Sequence, residues 1–202
     1  MSAIDEAIAA VRDGELVVIP TDTVHGIGTR ADDPAATARI FEAKGRPRDL
    51  ELPVFVGTFA EAKALAAFDD LASILVDRFW PGRLTLVLPR SGPSRDWDLG
   101  GDGSTIGLRV PAHPLALAIV RGAGPMAVTS ANRSGEPTPA LGEAIAEIFG
   151  DTVSVYLLEE RPLAGEPSTV VDLSTGELRV LRVGAIPAEE IQRVLPPDDR
   201  SR

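Results

Sequence analysis

The chain has no cysteine and only two histidines, and its basic residues are nearly all arginine: lysine occurs only at 44 and 63. Without cysteine there is no disulfide framework, no thiolate zinc site and no thiol nucleophile, which suits a reducing compartment. His25 and His113 are too few for a histidine zinc site, and His113-Pro114 reads as a helix cap. No uninterrupted apolar run approaches the roughly 20 residues of a membrane-spanning helix, and residues 1–15 pattern as an acidic amphipathic helix rather than a signal peptide. These absences predict a soluble cytoplasmic protein that makes no membrane contact. A net charge of −10 argues against the broad basic face of a general nucleic-acid binder, but it leaves room for a local cationic pocket.

At 202 residues and 44% hydrophobic, the chain is long enough for one domain with a proper core. Ser2 and Asp5 form a capping-box-like start for a helix to about Arg12. Asp33-Pro34 opens a second helix that ends near Lys44-Gly45. Thr58 with Glu61 caps a third, residues 69–80 make a fourth, and further helices are expected at 114–121, 141–149 and 187–194. Apolar strands are expected at 15–20, 52–56, 84–88, 105–110, 126–130 and 153–158, with a hairpin of 169–173 and 178–183. Interleaved strands and helices with one late hairpin predict a mixed α/β (α+β) fold, a layered twisted sheet of parallel and antiparallel strands flanked by helices. The expected division is a domain over 1–196 and a polar tail over 197–202. Residues 90–104, polar and glycine-rich, read as a mobile loop or lid.

Several motifs fail on context. Gly26-x-Gly28-x-x-Ala31 matches a dinucleotide fingerprint, but five residues separate it from the preceding strand and no helix opens from it until Pro34. Asp96, Asp98 and Asp102 lack the spacing of a calcium loop. The combination with chemical content is cationic. Lys44 and Arg46 lie in a turn that would otherwise read as a helix C-terminus with Gly and Pro breakers. Arg109 and Arg182 lie at the ends of apolar strands, where a planar guanidinium suits bidentate phosphate or carboxylate contacts. Ser130-Ala131-Asn132 follows a strand's carboxyl end, where open sheets bind ligands. Ser168-Thr169 precedes another strand. Each alone has a bland reading as a turn or an edge residue; together they point to an anionic, phosphate-bearing substrate.

These segments, with Pro20-Thr21-Asp22-Thr23 to Gly28, Trp80-Pro81-Gly82-Arg83-Leu84-Thr85 and Leu181-Arg182-x-Gly184-Ala185-Ile186, closely resemble the YrdC family in order and spacing. The resemblance runs from Pro20 to about Ile186. It implies a single-domain enzyme, without the extra C-terminal domain of some relatives, that makes threonylcarbamoyl-AMP and pyrophosphate from L-threonine, bicarbonate and ATP. A partner complex would then transfer the threonylcarbamoyl group to tRNA beside the anticodon; a weak direct tRNA contact is compatible with this. By position, Thr23, Arg109, Ser130 and Ser168 are the implied threonine-binding residues, and Lys44, Arg46, Thr105, Asn132 and Arg182 the implied ATP-binding ones. Lys44 and Arg46 would stabilise phosphate charge. No protein nucleophile is implied, and Mg²⁺ would arrive on ATP with no tightly bound cofactor.

Leu50, Glu51-Leu52 and Phe55 stand where the family often has Asn, Pro-Leu and His, so an ATP and a threonine contact would be lost or supplied by the backbone. Ala140 replaces a common hydroxyl residue, and His25 the usual Tyr. Two rival classes remain at this stage: a carbamoyl-phosphate-using domain, disfavoured by the missing cysteines, and a non-catalytic RNA-binding module of the same fold, disfavoured by the charge.

Overall fold

A computed structural model describes residues 2–159 and 163–195; the expected tail, 197–202, lies outside them. The strands are β1 (Val17–Ile19), β2 (Gly26–Arg30), β3 (Val54–Phe55), β4 (Leu84–Pro89), β5 (Thr105–Arg109), β6 (Met126–Ser130), β7 (Val155–Tyr156), β8 (Thr169–Asp172) and β9 (Arg179–Arg182). The helices are α1 (Ala3–Arg12), α2 (Pro34–Lys44), α3 (Phe59–Leu65), α4 (Asp70–Phe79), α5 (Pro114–Ala123), α6 (Gly142–Phe149) and α7 (Ala188–Val194). The strands form one sheet in the order β7-β1-β2-β6-β3-β5-β4-β8-β9. Three pairings are parallel (β1–β7, β3–β5, β4–β8) and the rest antiparallel, so the expected mixed sheet is present.

Local chemistry sets the helix ends. Ser2 and Asp5 exchange both bonds of a capping box, satisfying amide groups that the first turn leaves orphaned. Asp33 caps α2 with Pro34 in its first turn, and Gly45 ends it in the left-handed conformation. Thr58 and Asp69 cap α3 and α4. His113 holds the N-cap position of α5 but makes no side-chain cap bond; its Nε2 lies 3.3 Å from a Glu159 carboxylate oxygen instead.

Residues 26–30, which were not expected to form a strand, make β2 between β1 and β6. Two glycines mask the strand in the sequence because they carry no β-propensity. They are needed for close approach: a Cβ on Gly28 would stand 2.7 Å from the Ala127 carbonyl oxygen, and one on Gly26 would stand 2.7 Å from Val128.

The 90–104 stretch is also anchored rather than loose. Arg90, its side chain 2% exposed, donates to the main-chain oxygens of Thr105, Ser94 and Trp97 and to the Glu51 carboxylate. Ser94 and Leu99 are buried beneath it. The glycine content suggested mobility, but a buried arginine with four acceptors ties the loop to the sheet.

Strand alternation sorts the side chains between two faces. Ile27, Val54, Leu84, Leu86, Ile106, Leu108 and Val171 join Ile40, Leu65, Leu75, Ile145 and Ile191 from the helices α2, α3, α4, α6 and α7 in one core. Val17, Ile19, Phe55, Met126 and Val128 face the other way, against Ala7 and Val11 of α1 and Ile119 and Val120 of α5. That second helical layer covers only one end of the sheet. Over β3, β5, β4 and β8 the same face borders a cavity.

Candidate active site

The cavity has a volume of about 430 Å³. Its floor is the second residue set of each strand: Thr85 and Val87 of β4, Thr105, Gly107 and Arg109 of β5, Val128 and Ser130 of β6, Val170 of β8. Gly107 keeps that floor low; a Cβ there would meet only ordinary contacts at 3.5 Å, with Pro53 and Thr85. Thr21, Thr23, Arg46, Asp49, Leu50, Glu51, Phe55, Ser168 and Arg182 complete the walls. Thr23, Arg46, Thr105, Arg109, Ser130, Ser168 and Arg182 are therefore brought together, from segments spread over most of the chain.

Arg109 is the best-held of these cations, its side chain 3% exposed. Nε donates to the Gly82 carbonyl at 2.8 Å, Nη1 to Thr23 Oγ1 at 3.2 Å, and Nη2 lies 2.8 Å from Asp22 Oδ1. Its guanidinium carbon also sits 5.2 Å from the centre of the Phe55 ring. The Asp22 contact is close but not aligned as a hydrogen bond, so Nη2 and Asp22 Oδ2 have no hydrogen-bond partner among the described residues. Burial pulls the Arg109 pKa down and Asp22 opposes that pull. A guanidinium held this firmly on the cavity floor suits an incoming anion.

Proton accounting fixes Thr23. Thr21 Oγ1 donates to the Val24 carbonyl at 2.6 Å, so the 2.8 Å contact between the two hydroxyls takes its proton from Thr23. Thr23 accepts from Arg109, donates to Thr21, and keeps one lone pair for a donor. Ser168 Oγ lies 2.9 Å from Thr85 Oγ1 and accepts from Arg182 Nη2 at 3.1 Å.

Arg46 is held from behind, donating to the main-chain oxygens of Leu50 and Glu51 at 3.1 and 3.0 Å. Burial lowers its pKa, with the Arg182 charge adding to the effect and Asp49 opposing it. Burial lowers that of Arg182 as well. Both would gain from an anion between them.

Two candidates lie off the cavity. Lys44 is 2% exposed, and its ammonium donates to the main-chain oxygens of Ser130, at 2.6 Å, and of Asn132. Burial, with Arg46's charge adding, pulls its pKa down to about 8. Asn132 spends its amide on the main-chain oxygens of Arg133 and Glu136, both at 2.7 Å, and accepts from Thr138. Lys44 and Asn132 thus shape the loop that presents Ser130. Of the departures noted above, Leu50 and Phe55 line the cavity, whereas Ala140 is exposed and does not. His25 is buried and accepts the Glu159 amide at 3.3 Å; burial depresses its pKa, and Glu159 opposes this.

The sequence reading missed Asp22, Thr21, Thr85 and Glu51. Asp22 and Thr21 sit inside the quoted Thr-Asp-Thr segment. Thr85, on an apolar strand, was the one polar residue at a cavity-facing alternation.

Comparison with known proteins bears on the fold and the family. The Sua5/YciO/YrdC family model, described as telomere recombination, matches residues 9–184. A Mycobacterium tuberculosis protein is 44% identical over 96% of this chain and 90% of its own length. The threonylcarbamoyl-AMP synthase of Chromohalobacter salexigens is 36% identical over 86% of this chain and 94% of its own. The crystal structure of Pyrococcus abyssi Sua5 complexed with L-threonine superposes with a TM-score of 0.87 at 38% identity; it covers 95% of this chain, which spans 57% of the Pyrococcus chain. With a model matched along most of its length and relatives matched nearly end to end, the chain belongs to the Sua5/YciO/YrdC family.

Proposed function

We propose that this protein is an L-threonylcarbamoyladenylate synthase, a nucleotidyltransferase acting in tRNA modification. The observation that carries the reading is the gathering of three guanidinium groups, the buried Arg109 with Arg46 and Arg182, around one cavity. An amino-acid carboxylate suits the first cation, and phosphates suit the other two. Relatives named threonylcarbamoyl-AMP synthase, and one structure holding L-threonine, favour catalysis over a bare RNA-binding module.

In this reading threonine's carboxylate meets Arg109, and its amine donates to the remaining lone pair of Thr23, with Ser130 and Ser168 beside it. The amine and bicarbonate condense to a carbamate and release water. A carbamate oxygen then bonds to the α-phosphorus of ATP, the bond to the β-phosphate oxygen breaks, and pyrophosphate leaves. No protein nucleophile is called for. The protein's part is to hold the labile carbamate away from water and to set guanidinium charge against the phosphates, which is positioning and electrostatics. Arg46, Arg182 and Thr105 line the nucleotide's part of the cavity, while Lys44 and Asn132 act on it through the Ser130 loop. Mg²⁺ enters on the phosphates, which with water supply its oxygen ligands.

The product would pass to a tRNA threonylcarbamoyl-transferase complex, with any direct tRNA contact weak. No helix among the described residues is long and apolar enough to cross a membrane, and a cytoplasmic place follows from the tRNA reading. Mass spectrometry after incubation with ATP, threonine and bicarbonate tests the proposal. Threonylcarbamoyl-AMP should form, and pyrophosphate release should need threonine and bicarbonate together; equal release with ATP alone overturns it.

A further inference from the structure

Glu51 is a carboxylate in the wall of a cavity that also holds three arginines. Its Oε1 accepts from the buried Arg90 Nη2, and its Oε2 accepts from Thr105 Oγ1 at 3.3 Å. Arg90 also donates from Nε to the Thr105 main-chain oxygen. The Glu51–Arg90 pair therefore brackets Thr105 from both its side chain and its backbone. Thr105, Asp49 and Glu51 line the main cavity and also an adjoining recess with Gly101 and Asp102.

Hydrogen-bond direction follows from chemistry. An ionised carboxylate only accepts, and a hydroxyl has one proton. Arg90 on Oε1 favours the ionised form, against the burial that pushes the Glu51 carboxyl up. The Thr105 proton is then committed to Glu51, and only lone pairs remain for a ligand. With Asp49, Glu51 and Asp102 around it, the recess beside Thr105 disfavours a phosphate and suits an uncharged part of the nucleotide.

We propose that Glu51 is a positioning residue: it fixes the Thr105 hydroxyl as an acceptor and so selects a nucleotide whose nucleoside end presents a hydrogen-bond donor there. The inference rests on the nucleotide part of the function proposed above. The donor is a sugar hydroxyl or the exocyclic amine of the base. In Glu51→Gln, Arg90 still needs an acceptor, so the amide oxygen turns to it and the NH₂ faces Thr105. The Thr105 hydroxyl then accepts from Gln and points its proton into the cavity.

Titration calorimetry of ATP, 2′-deoxy-ATP, 3′-deoxy-ATP and inosine triphosphate into the wild type, Glu51→Gln, Thr105→Val and the double variant tests this. The wild type should bind ATP about threefold to tenfold more tightly than the analogue lacking the donor, and which analogue that is separates sugar from base. Both single variants should lose that preference, and the double variant should lose no more than either. Thr105→Val leaves the Glu51–Arg90 pair intact, so the acceptor is tested even if Glu51→Gln folds poorly. Threonine affinity should not move. A wild type indifferent among the four nucleotides, an unchanged preference in the variants, or equal losses for threonine and ATP overturns the proposal. The readout needs no turnover, so a protein that shows this selectivity but makes no threonylcarbamoyl-AMP sinks the function and leaves the inference standing.

Discussion

Arg182 donates from Nε and Nη2 to the main-chain oxygen of Ser168, at 3.1 and 2.9 Å, and from Nη2 to Ser168 Oγ at 3.1 Å. The residue proposed to meet the nucleotide thus holds the residue proposed to meet the amino acid. Arg182→Ala should weaken ATP by about tenfold or more and should also weaken threonine, by a smaller factor. Ser168→Ala should weaken threonine alone. Titration of each substrate into each variant measures this, and an Arg182→Ala protein with untouched threonine affinity would show the contact to be idle.

Arg109 makes contacts in three directions at once, to Gly82, Thr23 and Asp22. One lysine nitrogen cannot reproduce that fork. Arg109→Lys should cut threonine affinity tens-fold while ATP affinity stays within a few-fold, and Thr23→Ala should cost only about 0.5–1.5 kcal/mol of threonine binding. Calorimetry reads both. Loss of ATP binding with threonine spared would mean that the two subsites are assigned in reverse.

Arg46 is half-buried in an otherwise exposed turn, bonded only to main-chain oxygens among the side-chain contacts described. Arg46→Ala should lose about 1.5–3 kcal/mol of ATP binding with an unchanged circular-dichroism melt. Full activity would remove it from the phosphate site, and an unfolded variant would make it structural.

Lys44 gives a pH signature. Its folded pKa of about 8 lies below the ordinary 10.5, so between those values the unfolded chain binds more protons than the folded one. Stability from this group therefore rises with pH across that window. The unfolding free energy of the wild type, less that of Lys44→Met, should increase from pH 8 to 10.5 in urea titrations. A flat or falling difference would show that the ammonium is not buried as described. At pH 7 Lys44→Met should be less stable, because two buried carbonyls lose their donor at about 1–3 kcal/mol each.

Gly28→Ala should destabilise the fold by about 1–3 kcal/mol, because the new Cβ would sit 2.7 Å from the Ala127 carbonyl oxygen, on backbone that pairs β2 with β6. Gly135→Ala, with nothing within 4 Å of the added carbon but a left-handed backbone, should lose only its conformational term, about 1 kcal/mol. Urea melts that rank the two the other way would deny the close approach.

The helices were legible because their ends carry chemistry of their own: Ser2, Asp33 and Thr58 each cap where expected. β2 was not, since close packing asked for glycine where propensity asks for branched residues. Arg109 and Arg182 were legible as charges at apolar strand ends, and Lys44 and Arg46 as a cationic turn. What could not be read was which of them line the cavity. Lys44 and Arg46 are two residues apart, yet one points into the Ser130 loop and the other lines the cavity. The anchoring of 90–104 was hidden likewise, because Arg90's acceptors are mostly main-chain oxygens that carry no sequence signal.

The strand order has a consequence for how the protein comes into being. The cavity's central wall is β6-β3-β5-β4-β8, whose members come from positions 54 to 172, and its rim is completed from Thr21 to Arg182. Apart from the consecutive β4 and β5, neighbours in this wall are distant in the chain, and long loops must close before their contacts form, which slows folding. Ser168 and Arg182, on the last hairpin, are the final pieces of the cavity's wall to be made, so the wall closes only after β8 and β9 have paired.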